Sequence, residues 1–239
     1  MATLVISDMH LNFERFPAVA KFMKKGGADR VVCLMDMPDD WGKEKDIDLY
    51  RKTFDAAIEF AKMFPDTLWC YGNHELSYLW HRSQGGYSTY AADIVREKLW
   101  ELRTTLPEDN PMQYVHRVDD VLFSHGGLTR WFVEEHVPPE KYNDIDYVVN
   151  AINALGPAAM WDDDISPIWY RHPMLHLEPY MEEKCLQVVG HHPVEQITKE
   201  GSILLCDVFS TKSDGKTAIG NKEYLLLDTK TKSYKGICL

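Results

Sequence analysis

The sequence predicts an α/β fold in a single domain spanning residues 1–239, and three observations support that prediction. Apolar runs typical of buried strands alternate with longer helical patterns along the first third of the chain. This βαβαβ order is typical of a parallel or mostly parallel sheet with covering helices. The chain of 239 residues is long enough for one substantial core. No repeat, low-complexity tract or obvious linker divides it.

The first part of the chain alternates strand and helix signals in a regular way. Buried strands are predicted for "ATLVIS", "RVVCLMD" and "TLWCYGNHE", each of which ends in polar residues. A helix over residues 15–26 is predicted to stop at a Gly-rich segment, "KKGG". A second helix is predicted over residues 46–64, where Phe54 and Ile58 lie one turn apart and Pro65 ends the pattern.

The rest of the chain predicts further strands around a helical segment. The aromatic-rich region 76–115 is helical in part, through "TYAADIVREKLWELRTTL", and "DDVLFSHGG" forms the next strand and loop. Residues 130–184, rich in Pro, Trp and His, are expected to be a helical insertion. The segment "CLQVVGHHP" returns to a strand, and we expect "SILLCDVF" and "EYLLLDTKTKSYKGI" to add antiparallel strands.

The composition disfavours several classes of partner. Lys and Arg number 26 against 37 Asp and Glu, for a net charge of −11. Such a surface disfavours non-specific binding to nucleic acid or to an anionic membrane. A phosphorylated substrate remains compatible with it, because divalent metal can supply local positive charge.

The cysteine pattern and the start of the chain lead us to expect a cytoplasmic protein. The five cysteines are odd in number and scattered, with no CxxC pair, which favours free thiols in a reducing compartment. No apolar stretch approaches the roughly 20 residues that span a bilayer. The start of the chain, "MATLVISDMH", lacks the basic and apolar regions of a signal peptide. The sequence gives no indication of oligomeric state.

Potential metal ligands follow each of five predicted strands. They are Asp8 with His10, Asp36, Asn73 with His74, His125, and His191 with His192. Each has an ordinary alternative explanation: the "DMPDD" stretch, for example, could be an acidic turn. Their repetition at five strand ends instead favours a site for Mn, Fe or Zn built from oxygen and nitrogen ligands. Two ligand clusters that share an aspartate would hold ions roughly 3.5–4 Å apart, as in two-metal hydrolysis.

Five short motifs resemble those of the calcineurin-like metallophosphoesterases. The motifs "DMH", "MDMPD", "GNHE", "SHGG" and "GHHP" occur in the order found in that family and span most of the chain. The resemblance is strongest to the phosphoprotein-phosphatase branch and its bacterial relatives, including diadenosine tetraphosphatases. It implies a mixed β-sandwich flanked by helices, in four layers ordered α/β/β/α.

The resemblance also implies a role for each matching residue. Two divalent or transition metal ions are expected, with Mn as the first expectation and Fe or Zn as alternatives. A hydroxide bridging the metals would attack phosphorus, His74 would be the general acid, and Asp39 would orient the His74 ring. The metal ligands would be Asp8, His10, Asp36 as the bridge, Asn73, His125 and His191.

The chain departs from the family pattern beside the second motif. Met35 occupies a position that is usually glycine, and Asp40-Trp41 replaces an Arg-Gly pair whose arginine ordinarily clamps phosphate. Arg171, in "SPIWYR", is predicted to replace that arginine catalytically, with Arg82 as a second candidate. Since Pro193 follows "GHH", we expect a supporting role for His192 rather than metal binding. The run "WDDD" is interpreted as a solvated acidic loop.

The leading functional prediction is a metal-dependent phosphomonoesterase that resembles Ser/Thr protein phosphatases. Its substrate would be a phosphorylated protein or a small phosphoester, with no membrane partner and nucleic acid disfavoured. A dinucleoside polyphosphate hydrolase or phosphodiesterase is the alternative enzyme. A non-catalytic metal-binding protein of the same fold is the third hypothesis, motivated by the missing arginine.

Overall fold

The computed structural model describes all residues from 1 to 239 and contains ten strands and eight α-helices. In chain order they are β1 Ala2–Ile6, α1 Arg15–Lys24, β2 Arg30–Cys33, α2 Ile47–Met63, β3 Leu68–Trp69, α3 Asn73–Leu79, α4 Ala92–Thr105, β4 Val115–Val118, β5 Val121–Ser124, α5 Arg130–His136, α6 Ile145–Asn153, α7 Pro157–Trp161, α8 His172–Leu175, β6 Leu186–Val189, β7 Thr198–Glu200, β8 Ile203–Leu205, β9 Tyr224–Asp228 and β10 Tyr234–Ile237. A 3₁₀ turn at Pro139–Lys141 separates α5 from α6.

The first sheet has the strand order β10-β9-β1-β2-β3. Strands β1, β2 and β3 run parallel, as the βαβαβ pattern predicts, and α1 and α2 provide the crossovers. Strands β9 and β10 form an antiparallel hairpin, and β9 pairs antiparallel with β1. The predicted antiparallel character of the last segment is therefore confirmed.

A second sheet has the order β4-β5-β6-β8-β7, so the strands do not form one mostly parallel sheet. The expectation that "SILLCDVF" adds an antiparallel strand holds on one side only, because β8 pairs antiparallel with β7 but parallel with β6 inside this second sheet. Its three residues Ile203, Leu204 and Leu205 are all buried. A run buried on both faces is typical of an inner strand of a covered sheet.

The two sheets pack face to face, and helices cover both outer faces. Val5, Val32 and Leu225 of the first sheet share one apolar cluster with Phe123 and Val188 of the second. A larger cluster joins the first sheet to α1, α2 and α4, and another joins the second sheet to α5 and α6. These layers give the α/β/β/α sandwich that the motifs imply.

The predicted helices lie close to their expected positions. Helix α2 begins after Asp46, whose side chain accepts a hydrogen bond from the backbone N–H of Leu49 at 3.1 Å. Helix α1 ends two residues before the Gly26-Gly27 pair. Helices α5 to α8 all lie between β5 and β6. No helix combines the length and hydropathy needed to cross a membrane.

The sandwich brings the carboxyl ends of the parallel strands of both sheets to one edge. The His125 ring, just after β5, donates from Nδ1 to the carbonyl of Leu34, just after β2, at 3.0 Å. The backbone N–H of His191, just after β6, donates to Asp8, just after β1, at 2.9 Å. Functional groups in α/β folds gather at such strand ends, so this edge is where a site is expected.

Candidate metal centre

The predicted site residues surround one cavity of about 380 Å³ at this shared edge. His125 is fully buried and does not line the cavity, whereas the other predicted residues line it directly. These lining residues are Asp8, His10, Asp36, Asp39, Asn73, His74, Arg171 and His191. Five segments that are distant in sequence therefore place their polar side chains in the same small volume.

Three potential ligand atoms converge on a fourth, Nε2 of the His125 ring. Its Nε2 lies 3.1 Å from Oδ2 of Asp36, 2.9 Å from Oδ1 of Asn73 and 3.0 Å from Nδ1 of His191. All four residues are buried. This spacing is that of atoms arranged around a common centre.

Hydrogen bonds on the far side of each group fix which atom faces that centre. The Nδ1–H of His125 donates to the Leu34 carbonyl, and the Nε2–H of His191 donates to the Trp169 carbonyl at 3.1 Å. The amide nitrogen of Asn73 donates to Oε1 of Gln84 at 2.6 Å. With both histidine rings neutral, the inward atoms are therefore all lone-pair acceptors, which cannot satisfy one another. A cation satisfies them, and this outer bonding is typical of metal ligands.

A second cluster shares Asp36 with the first. The ligand atoms of Asp8, His10 and Asp36 lie within 4.8 Å of one another. Oδ2 of Asp8 is buried and has no hydrogen-bond partner. Nδ1 of His10 donates to the Asp39 carbonyl at 2.9 Å, which leaves its Nε2 free to bind a metal. The residues present thus fit two metal ions with Asp36 between them.

The electrostatics of the clusters favour positive charge. Although burial opposes ionisation of Asp36, the adjacent His125 and His74 hold its pKa well below the usual range. Burial likewise opposes protonation of His125, yet the Asp36 carboxylate raises the pKa of His125 to about 9, so a proton occupies Nε2 of His125 when no cation lies in the cluster. Burial and the neighbouring His125 hold the pKa of His191 well below its ordinary value. The cluster therefore attracts a cation while His191 keeps a lone pair.

Two motif glycines make room for the carboxylates of Asp36 and Asp8. A Cβ at Gly72, in "GNHE", would collide with Oδ1 of Asp36 and lie 2.7 Å from Oε2 of Glu75. A Cβ at Gly190, in "GHHP", would collide with Oδ2 of Asp8. Glycine at both positions lets the backbone approach the carboxylates closely.

Glu75 also holds the site in place, although it is not among the residues predicted from the sequence. Its carboxylate accepts hydrogen bonds from the backbone N–H groups of Met37 at 2.5 Å and of Asp36 and Gly72 at 3.1 Å. The residue is fully buried. It therefore ties the loop after β2 to the start of α3; its place inside the "GNHE" motif was the available signal.

His74 and Asp39 form a hydrogen-bonded pair at the cavity wall. Nδ1 of His74 donates to Oδ2 of Asp39 at 2.8 Å, and Nε2 lies 3.9 Å from Oδ2 of Asp36. Burial opposes protonation of His74, but Asp36 and Asp39 raise its pKa to about 9. The other Asp39 oxygen accepts from the hydroxyls of Tyr50 at 2.9 Å and Tyr78 at 2.5 Å, two residues that sequence reasoning missed.

The two candidate arginines lie in different environments. Arg171 lines the cavity, and its guanidinium makes no hydrogen bond or ion pair with the protein. Arg82 lies outside the cavity and pairs with Asp162, in the "WDDD" run, at 2.5 Å. Only Arg171 is therefore placed to contact a bound anion. His192 is half-buried and does not line the cavity.

Asp40 lies at the cavity wall and connects two loops. Its Oδ1 accepts from the backbone N–H of Trp41 at 2.9 Å and from the hydroxyl of Thr211 at 3.1 Å. The Thr211 bond joins the loop after β2 to the loop after β8. Asp40 thus has a structural contact, but it also adds negative charge where the family usually has an arginine.

The loop after β2 adopts left-handed backbone conformations. The φ angles are 72° at Met35, 50° at Asp36 and 68° at Asp39. This conformation disfavours residues with a Cβ, which explains why glycine is usual at the position of Met35. The neighbouring bonds from Glu75 and His10 hold the loop in this shape.

The sequence of residues 1–212 matches the profile of the calcineurin-like phosphoesterase family. The chain therefore belongs to this family of metal-dependent phosphoester hydrolases, whose members use a dinuclear metal centre. Its fold and its shared-aspartate clusters are those expected of a member. No curated protein sequence matches the chain significantly.

Solved structures share the fold at low sequence identity. A cold-active protein-tyrosine phosphatase of a psychrophilic Shewanella species has 16% identity and a TM-score of 0.57, with 99% of this chain and 80% of that chain covered. A protein serine/threonine phosphatase from Saccharomyces cerevisiae has 13% identity and a TM-score of 0.51, with 95% and 72% covered.

The Gln84–Asn73 hydrogen bond generates a test of the metal centre. In Gln84→Met the Asn73 amide loses the acceptor that orients it, so we expect affinity for one metal equivalent to fall about 10- to 100-fold. Competition with a chromophoric chelator measures this affinity. Gln196→Met, at an exposed residue, is the control. Unchanged affinity in Gln84→Met would contradict the assignment of Asn73 as a ligand.

Proposed function

We propose that the protein is a dinuclear-metal-dependent phosphomonoesterase. The observation that carries this proposal is the position of His74, whose Nε2 lies 3.9 Å from the carboxylate that both ligand clusters share. Asp8, His10, Asp36, Asn73, His125 and His191 would hold the ions. When bound, such ions supply an activated water as nucleophile and neutralise phosphate charge.

His74 would act as the general acid. Because Asp39 accepts the Nδ1–H bond, the Nε2–H of the protonated ring points into the cavity, where it can donate to the departing oxygen. The Tyr50 and Tyr78 hydroxyls hold the Asp39 carboxylate in place. Burial and the Asp39 charge raise the pKa of both tyrosines well above the ordinary value, so both remain hydrogen-bond donors.

Arg171 would bind the non-bridging oxygens of the phosphate. Its guanidinium has no protein partner and lines the same cavity as His74. A planar guanidinium can contact two phosphate oxygens at once, which orients the ester for displacement. This contact supports a phosphomonoester, the most highly charged class of phosphoester, as substrate.

Asp40 supports a second candidate function. Its carboxylate lines the cavity and would repel a phosphate dianion, whereas a diester carries only one negative charge. A phosphodiesterase or dinucleoside polyphosphate hydrolase is therefore the alternative. Arg171 favours the monoester, and the relative rates on the two ester classes decide between them.

The decisive experiment compares substrates after metal removal. Metal-stripped protein is supplied with Mn, then assayed on p-nitrophenyl phosphate, its bis-ester, a phosphopeptide and diadenosine tetraphosphate. We expect Mn to restore turnover of the monoester. Turnover of the bis-ester or tetraphosphate alone would refute the phosphatase proposal. Tight Mn binding without any turnover would instead support a non-catalytic protein.

Replacement of His74 tests the general acid. We expect His74→Asn to lower kcat about 10²- to 10⁴-fold on an alkyl phosphate, whose leaving oxygen needs a proton. The loss on p-nitrophenyl phosphate should be smaller, because nitrophenolate departs readily without protonation. Steady-state rates on both esters measure the difference. Equal losses would show that His74 does not protonate the leaving group.

Replacement of Arg171 tests phosphate binding. Loss of a charge-assisted contact worth about 1.5–3 kcal/mol should raise KM for the monoester roughly 10- to 100-fold in Arg171→Ala. The inhibition constant for inorganic phosphate should rise in parallel, and Arg171→Lys should lose less. Arg82→Ala is the control, since Arg82 pairs with Asp162 outside the cavity. A KM rise in the Arg82 variant alone would show that Arg82, and not Arg171, contacts the phosphate.

A further inference from the structure

A second group of ligand-type side chains lies outside the cavity just described. It consists of His172 in α8, His176 directly after α8, and Glu200 at the end of β7. Their ligand atoms lie within 4.8 Å of one another. Nε2 of His172 is 3.9 Å from Oε2 of Glu200, and the two imidazole rings are 5.7 Å apart between centroids. None of the three residues lines the cavity of the candidate metal centre.

Tyr170 fixes the orientation of the His172 ring. The Tyr170 hydroxyl donates its proton to the Leu177 carbonyl at 3.0 Å, so it accepts a hydrogen bond from Nδ1–H of His172 at 2.8 Å. The Nε2 atom of His172 therefore carries the lone pair and faces Glu200. Tyr170 itself is buried, with 1% of its surface exposed. A histidine that binds a metal characteristically donates its other ring N–H in this way.

We propose that His172, His176 and Glu200 form an additional transition-metal site of the zinc class. Two imidazoles and one carboxylate are a donor set of open zinc sites, in which water completes the coordination. Bonds of about 2.0–2.1 Å at tetrahedral angles place donor atoms about 3.3 Å apart. The Glu200 side chain is 39% exposed and His176 is exposed, so side-chain rotation alone can close the remaining distance.

The backbone at His176 directs its ring towards His172. Residue 176 follows the last turn of α8 with a φ of 49°, and its N–H donates to the His172 carbonyl at 2.9 Å. Glycine or asparagine is usual at such a left-handed helix end. Here the position holds a histidine, whose ring stands edge-on to that of His172 with an interplanar angle of 78°.

Metal at this site would connect the Arg171 segment to the second sheet. His172 follows Arg171 directly, while Glu200 belongs to the edge strand β7. A metal bound to both would restrain the backbone that carries the Arg171 guanidinium. This coupling rests on the proposed role of Arg171 in phosphate binding, whereas the metal site itself does not.

Counting bound zinc tests the site. Metal-stripped full-length protein is loaded with Zn²⁺, desalted and analysed for metal content by native mass spectrometry. We expect His176→Asn and Glu200→Gln to bind one zinc ion fewer than the wild type. His81→Asn is the matched control, because His81 is also exposed and has a φ of 54°. Equal zinc content in all four proteins would overturn the proposal.

Cobalt substitution reports the ligand geometry independently of activity. The Co²⁺ difference spectrum, wild type minus His176→Asn, should contain the strong visible bands of a four-coordinate ion. A featureless difference would overturn the site even if zinc content changed.

A kinetic comparison tests the coupling to Arg171. In His176→Asn and Glu200→Gln we expect a two- to tenfold rise in KM for p-nitrophenyl phosphate, with kcat retained. Lower zinc content with unchanged KM would overturn the coupling but support the site. If no phosphoester is turned over, the proposed function fails while the zinc count still decides the site.

Discussion

The structure depends on an electrostatic constraint at the edge where the two sheets meet. With their imidazole rings neutral, as metal binding requires, His125 and His191 join Asp36 and Asn73 in turning only lone-pair atoms towards a common centre, at separations near 3 Å. Buried acceptors without a donor destabilise a fold unless a cation lies among them. The sandwich must bring β2 and β5 together for this cluster to exist, so sheet packing and metal binding stabilise each other.

Much of this site follows from the sequence because its residues obey a local rule. Asp8, Asp36, Asn73, His125 and His191 each come within a few residues after a strand, and parallel strands end at the same edge. The parallel order of β1, β2 and β3 follows from their βαβαβ connections. The family resemblance then supplied the division into two metal clusters.

What the sequence did not predict depends on contacts between distant segments. The pairing of β8 with β6 requires the intervening chain to return through β7, and no short motif encodes it. The Tyr50 and Tyr78 hydroxyls reach Asp39 from two separate helices, a pair of contacts that no local sequence pattern encodes. Asp40 had no derivable role until Thr211, distant in sequence, appeared as its partner.

The loop at Met35, Asp36 and Asp39 keeps its left-handed backbone conformation only through the hydrogen bonds around it. Each such residue with a Cβ costs on the order of 1–2 kcal/mol, which the surrounding hydrogen bonds must offset. All three residues are buried, so the loop leaves this shape only when the hydrogen bonds with Glu75 and His10 break. Once they break, the left-handed residues relax and Asp36 moves out of line with the other ligand atoms. Tighter metal binding would oppose that relaxation.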